Sequence, residues 1–532
     1  MIIPIVGLAV DAGVLFVLKT MVSASADAAA IAAARSLSVG LTIDAQKASA
    51  TADALAFFNA NMKPGSYGTK NQSVAIDIAE SSYRTRTVTV TAQLDAPQYF
   101  MRYLGFNSTH IVASGKASRR DVNLMLVLDR SGSMKDSVPP AADNGAPCTT
   151  MRNAAATFVN MFAEERDRLG LITYGGSWYL SFAPSKTFKT GSPSMLSRIA
   201  SISCNGGTGT GTALWNAYDQ VSKINEPGTL NMIVLFTDGY ANLVHANFPV
   251  RTASDTRYGY TTGYKQWSTT NKSYSGTTTC SSYSTSCTME PSPCVDPSGN
   301  LYDRNAGQTT RNYTAPNWNP NYKPSPIRGG LTQAAGDTYS LGTGATYGLI
   351  TEKASSATDV NDPIVSAAGC AFTTDYPGNN NSSSNRVYNN GNSSTPVYPT
   401  NVRRDIAFMP DIDVNNVNTD GYKDILRYSS GSYVNRKRVD RPMDVTGAGM
   451  NVADNVGILA RNDNTIKPAL YTIGLGSNGG VDHELLRRIA NDPASPVYDD
   501  TKMVGMYAYA PTPTDLNQAF VRIASEILRI AQ

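Results

Sequence analysis

Three polar segments, two of them at the ends of apolar runs, most constrain the fold that this chain can adopt. The run VNLMLVLD ends in Asp129 and is followed closely by Ser131 and Ser133. Thr208 lies in GGTGTGTAL, just before a predicted helix, and Asp238 lies near the end of a second run, NMIVLFTDG. Such runs are typical of buried parallel strands, and the carboxyl ends of such strands form the crevice where ligands bind. We therefore expect these five side chains to meet at one edge of a sheet.

The five side chains offer two carboxylates and three hydroxyls. These hard oxygen donors suit Mg²⁺, Mn²⁺ or Ca²⁺ and suit Zn²⁺ or Cu²⁺ poorly. The sequence therefore predicts a divalent cation as cofactor, with Mg²⁺ favoured, and the alternative is an idle site on a retained fold. The sequence contains no HExxH motif and no recognisable Ser-His-Asp arrangement. We expect a binding module and not an enzyme.

The elements around these segments alternate as strand, helix, strand, strand, helix, helix, strand. The pattern breaks at about residue 243 and resumes near residue 443 with helix, strand, helix, short strand and helix. This order predicts an α/β fold with a doubly wound, mostly parallel sheet and helices on both faces. The break is an insertion of roughly 200 residues, which is long enough for a domain of its own. Within it, residues 375–396 are close to low complexity and are predicted to form a mobile loop.

The D-x-S-x-S, GGT-x-x-G-x-AL and T-D-G elements, in that order, resemble the von Willebrand factor A (VWA) family and its metal-ion-dependent adhesion site. The resemblance implies that Asp129, Ser131 and Ser133 coordinate the cation directly or through water, and that Thr208 and Asp238 complete its sphere. It also implies an open coordination position that accepts a carboxylate of a protein partner or surface. The insertion leaves from the edge that holds Asp238, so we expect it to overhang the metal and to influence ligand choice. The alternative is that the insertion is a mobile decoration.

The chain opens with an apolar run over residues 2–18, interrupted only by Asp11. This length is at the low edge of the ~17–25 residues that span a bilayer, and a carboxylate within lipid is costly unless it is paired or functional. The Ala-rich continuation predicts one long helix, which anchors the protein in a membrane, packs in a filament core or belongs to a cleaved signal peptide. Lys19 and Arg35 after the run would place the body in the cytoplasm. The cysteines and polar loops favour the outside, and we expect a basic segment upstream.

The next segments predict a small α/β unit with one helix, two alternating strands, a short helix and a third strand. GLAVDAG, SADAAAIAAAR, FFNANM and YFMRYLGF before VASGKA resemble the Flp pilus-assembly TadE/TadG-like family. This resemblance implies a protein of the bacterial cell envelope or surface, with membrane or pilus subunits as partners of the N-terminal helix and a homo-oligomer or filament as an expected assembly. The predicted divisions are an N-terminal helix (1–37), a TadE/TadG-like unit (38–119), a first VWA part (120–242), an insertion (243–442) and a second VWA part (443–532).

The charge balance limits the classes of partner that we expect, and the cysteine content indicates the redox compartment. With 45 basic and 42 acidic residues, the chain lacks the basic excess of nucleic-acid-binding proteins, so no nucleic acid is expected. Its six cysteines favour disulfides in an oxidising compartment. The sequence has no C-x-x-C pair, which argues against a zinc site. Cys148 and Cys204 flank the predicted metal edge and are the favoured pair, although six cysteines allow many connectivities.

A weaker signal lies inside the insertion, in DIDVNNVNTDGYKD. Asn416, Asn418, Asp420 and Asp424 match part of a calcium loop and resemble the loops of dockerin and repeat proteins. Arg427 stands where an EF-hand has its bidentate acid, so a standard EF-hand is not expected. The two interpretations are a second Ca²⁺ site and a plain Asn/Asp/Gly turn.

The sequence as a whole predicts an adhesion protein of the cell surface or of a pilus, which binds an acidic group of its partner through the metal site. The alternative is a structural pilin-like subunit that polymerises through its N-terminal helix and displays the VWA domain on a filament. A third interpretation, a cytosolic chelatase-type subunit, would need an ATPase partner, and the loop cysteines argue against it.

Overall fold

The part of the chain that the structure describes forms two α/β units in sequence. This computed structural model describes residues 2–82, 84–135, 147–204, 206–224, 226–249, 264–268, 273–278, 327–333, 346–350, 408–431, 433–438, 442–476 and 480–531. Residues 375–396, predicted to be a mobile loop, lie outside these ranges, as do Cys280, Cys287, Cys294 and Cys370.

The first unit packs two helices on a three-stranded antiparallel sheet of order β1-β2-β3. Its elements are α1 (Ile2–Ser36), α2 (Ile43–Asn61), β1 (Lys70–Ser82), β2 (Thr85–Pro97) and β3 (Ser108–Arg120). The small side chains of the second half of α1 allow a close approach to the sheet. A Cβ added to Gly115 of β3 would stand 2.5 Å from the backbone of Ala26, so this glycine is required by packing.

The two halves of α1 differ in exposure. The second half buries an alanine-rich face against the sheet, whereas Val6, Leu8, Phe16 and Val17 of the first half are exposed. By length and composition, the stretch Val6–Ser36 is apolar enough to cross a membrane. The predicted long apolar helix is therefore confirmed, and its first half is the part that the fold leaves uncovered.

The second unit begins one residue after the first sheet ends. Its strands are β4 (Val122–Asp129), β5 (Arg168–Tyr174), β6 (Trp178–Ser185), β7 (Leu230–Thr237), β8 (Leu243–Phe248), β9 (Tyr264–Ser268), β10 (Ser273–Thr278), β11 (Ile327–Gln333), β12 (Thr346–Ile350), β13 (Ala469–Leu475) and β14 (Met506–Ala510). Its helices are α3 (Pro147–Asn160), α4 (Met195–Ala200), α5 (Thr210–Ile224), α6 (Pro442–Arg461), α7 (His483–Ala490) and α8 (Leu516–Ile530).

Six of these strands form the main sheet, in the order β14-β13-β7-β4-β5-β6. All neighbours are parallel except β5 and β6. Helices α3, α4 and α8 share one apolar core with the sheet, and α5, α6 and α7 share the other. The predicted α/β fold with helices on both faces is confirmed, and strands from both sides of the insertion enter the same sheet.

The insertion starts with β8. This strand forms a small antiparallel sheet of order β8-β11-β12, in which β11 lies in the middle. Val244, Phe248 and Leu331 of this sheet belong to the same apolar core as α5 and α6. Residues near 414 continue the attachment, since Val414 N–H donates to the His245 carbonyl at 2.9 Å. The described ends of the insertion are thus packed on the domain that it interrupts.

A buried polar network fixes the junction of the two units. Arg119, at the end of β3, donates to Asp167 at 2.6 Å, and both side chains are fully buried. The second oxygen of Asp167 accepts the N–H of Val122 at the start of β4. Asp121, the single residue between the two strands, accepts from Arg166 at 3.2 Å. A buried pair of this kind is costly to break on one side, because the remaining charge is left without a partner.

Candidate metal centre

Asp129 ends the central strand of the main sheet, and its side chain is fully buried. One carboxylate oxygen accepts the backbone N–H of Ser131 at 2.8 Å, and the other accepts the Thr237 hydroxyl at 2.7 Å. The first contact folds the chain back sharply after the strand. The second joins Asp129 to the end of the neighbouring strand β7.

The two serines of the D-x-S-x-S element turn toward the same place as Asp238, the residue after β7. Ser133 Oγ donates to Asp238 Oδ1 at 2.8 Å, and Ser131 Oγ lies 3.5 Å from the same oxygen. The two serine hydroxyls are 3.0 Å apart. Four of the five predicted ligands, including Asp129, therefore form one cluster at the carboxyl edge of adjacent strands.

Thr208, the fifth predicted ligand, lies on a third loop at the same edge. Gly132 N–H donates to the Gly206 carbonyl at 2.7 Å, which ties this loop to the serine-bearing turn. The backbone of Thr208 accepts from and donates to Asn242, at 3.1 Å and 2.7 Å. Asn242 follows Asp238 closely. The loop that carries Thr208 is therefore held both by the serine-bearing turn and by the segment that follows Asp238.

The cluster concentrates negative charge in a buried place. Burial and the charge of Asp238 together raise the pKa of Asp129 to about 7, although hydrogen bonds from Ser131 and Thr237 act in the opposite direction. The pKa of Tyr174, which ends β5, is raised well above its ordinary value, mainly by burial and then by the charge of Asp129. Two carboxylates in such a setting gain from a cation that neutralises them.

The residues present fit a divalent cation. Two carboxylates and three hydroxyls supply only hard oxygen atoms, which is the donor chemistry of Mg²⁺, Mn²⁺ and Ca²⁺. Thr237 orients Asp129 from outside the cluster, in the manner of groups that position metal ligands. Among the described residues there is no group of three or more His, Cys, Asp or Glu side chains suited to a metal. Metal binding by Asp129, Ser131, Ser133, Thr208 and Asp238 stays a prediction.

A disulfide joins two loops of this edge. Cys148 and Cys204 are bonded, with their Cα atoms 6.2 Å apart, as the sequence predicts. Cys148 lies in the first turn of α3, and Cys204 stands shortly before Gly206 and Thr208. The bond therefore anchors the threonine-bearing loop to a helix that follows the serine-bearing turn.

Several residues of this edge were not expected from the sequence. Thr237 and Asn242 position ligands. The signal for Thr237 was its place in the T-D-G element, and Asn242 follows that element three residues later. On the side toward α7, Tyr422 of the insertion donates to Asp482 at 2.9 Å, and burial and then the charge of Asp482 raise the pKa of Tyr240. That the insertion overhangs the metal and influences ligand choice stays a prediction.

The proposed calcium loop is organised around a lysine. The buried Lys437 ammonium lies 3.1 Å from Asp411, 2.9 Å from Asp420 and 2.8 Å from the Thr419 hydroxyl. Asp420 also accepts from Arg427 at 3.0 Å. Asn418 accepts the N–H of Asp420, Asn416 adopts a positive φ of 62°, and Asp424 lies in the irregular segment that follows. One carboxylate of the predicted Ca²⁺ set is thus bound to two protein cations.

Comparison with known families agrees with these features. The model of the von Willebrand factor type A domain matches residues 124–241. The model of the Flp pilus-assembly TadE/G-like family matches residues 1–36. No curated protein matches the chain in sequence. The Tad-type segment together with the apolar α1 fits a location in the cell envelope or on a surface pilus.

Similar solved structures include the PilB minor pilin from Streptococcus sanguinis, with 12% identity, TM-score 0.34, and coverage of 88% of this chain and 80% of that chain. The von Willebrand factor domain of the type V pili tip protein Mfa5 from Porphyromonas gingivalis is 14% identical, with TM-score 0.33 and coverage of 78% and 98%. The pilus adhesin SpaC from Lactobacillus rhamnosus GG is 10% identical, with TM-score 0.34 and coverage of 86% and 34%.

The two family matches fall on the two features that the structure describes separately. The TadE/G-like match covers all of α1, and the von Willebrand factor type A match runs from within β4 to beyond β7 and includes all five predicted ligands. The chain therefore carries a von Willebrand factor type A domain, preceded by an N-terminal segment of the Flp pilus-assembly TadE/G-like type.

Proposed function

We propose that this chain is a pilus- or envelope-associated adhesion protein whose VWA domain binds an acidic group of its partner through a divalent cation. Asp129, Ser131, Ser133, Thr208 and Asp238 would hold the cation, with Mg²⁺ favoured over Mn²⁺ and Ca²⁺. When bound, the cation would supply an open coordination position for a carboxylate. The work of the protein is binding and not catalysis.

Ser133 and Asp238 support this proposal most directly. They are 105 residues apart in the chain and meet at 2.8 Å, beside a buried Asp129 whose pKa is raised by the neighbouring carboxylate. A cluster of hydroxyls and carboxylates at the edge of a sheet needs a compensating positive charge, because uncompensated buried charge is expensive. A divalent cation with oxygen ligands meets that need.

Calorimetric titration of MgCl₂, MnCl₂ and CaCl₂ into the full chain in detergent tests the proposal. We expect binding in the wild type and its loss in Asp129→Ala. The matched control is Asp219→Ala, since Asp219 is an acid of α5 that pairs with Lys223 on the helix surface. Equal metal affinity in Asp129→Ala and in the control would contradict the proposal.

A structural pilin-like subunit is the second candidate, and the exposure of α1 favours it. The second half of this helix is packed on its own sheet, whereas the first half presents uncovered apolar side chains such as Phe16. A helix of this kind suits the core of a filament. Electron microscopy of purified full chain after detergent removal would show filaments if this candidate is correct, and dispersed particles or proteoliposomes would exclude it.

A further inference from the structure

The turn between β2 and β3 exposes an unusual number of large apolar side chains. Residues 98–107 include a short 3₁₀ helix at Met101–Leu104, in which Tyr103 is 76% exposed and Leu104 is 66% exposed. Three further large side chains of the same turn are also exposed, namely Tyr99, Phe100 and Phe106. We refer to residues 98–107 as the aromatic turn.

The aromatic turn is fastened to the exposed half of α1. The Asp11 carboxylate accepts the backbone N–H groups of Tyr99, Phe100 and Met101 at 2.7–2.9 Å. Asp11 is almost completely buried by these contacts. A Cβ added to Gly7 would stand 2.8 Å from Phe100, so the glycine permits this approach. The turn therefore lies beside α1 at the level of residues 7–11.

The same end of the unit is basic. Tyr99 donates to the Tyr67 carbonyl at 3.2 Å, which brings the segment after α2 to the aromatic turn. The charged groups on this end are three cations, Lys63, Lys70 and Arg102, and two carboxylates, Asp95 and Asp11. Both carboxylates are already engaged, Asp95 by Asn71 and His110 and Asp11 by the backbone of the turn. Arg102 lies 4.9 Å above the ring of Tyr103. Aromatic and basic side chains together are suited to the headgroup region of an anionic bilayer.

We propose that the aromatic turn is a second membrane contact of this protein. It rests in the headgroup region of a bilayer that contains anionic lipid, at the level of residues 7–11 of α1. Tyrosine rings suit this level because their apolar bodies face the hydrocarbon while their hydroxyls stay hydrated. The Asp11 carboxylate is compatible with this placement, because three backbone N–H groups satisfy it. This inference does not depend on the metal site.

Depth-dependent fluorescence quenching tests the proposal with the full chain in vesicles of phosphatidylcholine and phosphatidylglycerol. Phe106→Trp places a reporter on the aromatic turn, and Tyr103→Trp is a second, independent reporter in case the first variant fails to fold. Lipids brominated near the headgroup should remove most of the fluorescence that either tryptophan adds to the native background.

The control reporter is Leu426→Trp, because Leu426 is an exposed apolar residue of the VWA unit, 48% exposed. Its added fluorescence should survive in the same brominated vesicles. Equal quenching of the turn reporters and the control would overturn the proposal. Turn reporters that escape quenching would overturn it as well, and would point instead to coverage by another protein subunit.

Discussion

The Thr237 hydroxyl donates a 2.7 Å hydrogen bond to one oxygen of Asp129, while the other oxygen accepts the N–H of Ser131. The carboxylate that heads the candidate metal site is therefore held in one orientation by a neighbouring strand. We expect Thr237→Val, which keeps the shape but removes the hydroxyl, to weaken Mg²⁺ binding by ~10–100-fold, the usual effect of removing a group that orients a ligand.

The control for this change is Thr173→Val on β5. Thr173 makes an equally buried 2.7 Å hydrogen bond to Ser181 of β6, and its partner in the register with β4 is Leu128 rather than a candidate ligand. Both variants should lose about 1 kcal/mol of unfolding free energy, but only Thr237→Val should lose metal affinity. Equal Mg²⁺ affinity of the two variants by calorimetry would show that Asp129 needs no support from β7.

The raised pKa of Asp129 predicts that metal binding and stability depend on pH. Burial and Asp238 raise this pKa to about 7, whereas an ordinary Asp carboxyl ionises near pH ~4. The folded, metal-free protein thus holds the proton more tightly than the unfolded chain. Its free energy of unfolding should fall as pH rises from ~4 to ~7 and then level off. A metal needs the carboxylate form, so its affinity should rise over this window.

Thermal unfolding with and without MgCl₂ between about pH 5 and about pH 8 measures this effect. We expect the Mg²⁺-dependent increase in Tm to grow with pH, and Asp129→Asn to show neither this increase nor its pH dependence. A wild-type increase that is constant over the range would mean that Asp129 does not exchange a proton for the metal.

The disulfide between Cys148 and Cys204 should stabilise both the fold and the metal edge. It closes a loop of 56 residues, for which the loss of unfolded-chain entropy corresponds to ~4 kcal/mol. We expect Cys148→Ala/Cys204→Ala to lose a comparable unfolding free energy in urea, and to bind Mg²⁺ more weakly because the Thr208 loop is released. The double variant avoids reductant, which would also act on cysteines elsewhere. Wild-type metal affinity in this variant would show that the loop is positioned without the disulfide.

The position of Lys437 leads to a prediction about calcium binding by the loop around residues 411–424. Its ammonium is fully buried between Asp411 and Asp420, where it supplies the positive charge that a bound Ca²⁺ would bring. We expect Lys437→Met to bind one more Ca²⁺ than the wild type, at a modest cost in stability because both carboxylates are partly exposed. Lys423→Met is the control, since Lys423 pairs with Asp482. The same Ca²⁺ stoichiometry in both variants and the wild type would contradict this expectation.

The sequence predicts the main sheet, and the meeting of four of the five candidate ligands, because these four stand at the end of a strand or just after it. Thr208 instead precedes a helix. A mostly apolar run such as Val122–Asp129 has few structural alternatives, and parallel strands bring their carboxyl ends together wherever the loops go. Asp129, Ser131, Ser133 and Asp238 could therefore be grouped before any contact was known. The Cys148–Cys204 bond followed from the same placement.

Other contacts could not be predicted because they join residues across long separations without a periodic pattern. Asp11 finds its partners 88 to 90 residues later, in a turn that hydropathy marks only as a short helix. Lys437 reaches Asp420 from outside the motif that suggested calcium. Within the insertion, Ser, Thr, Asn and Gly give no apolar period, so the docking of Val244 and Phe248 on α5 and α6 had no sequence signal.

The direct succession of β3 and β4 has a mechanical consequence. Asp121 alone separates the two strands, so the chain runs without a flexible linker from the end of the aromatic turn to Asp129. A partner that pulls on the site while α1 is held would stretch this path along its length. Strand hydrogen bonds lie across that direction, and β4 is paired on both sides, by β5 and β7. Tension along β4 would then load many hydrogen bonds in shear at once rather than unzip them one by one.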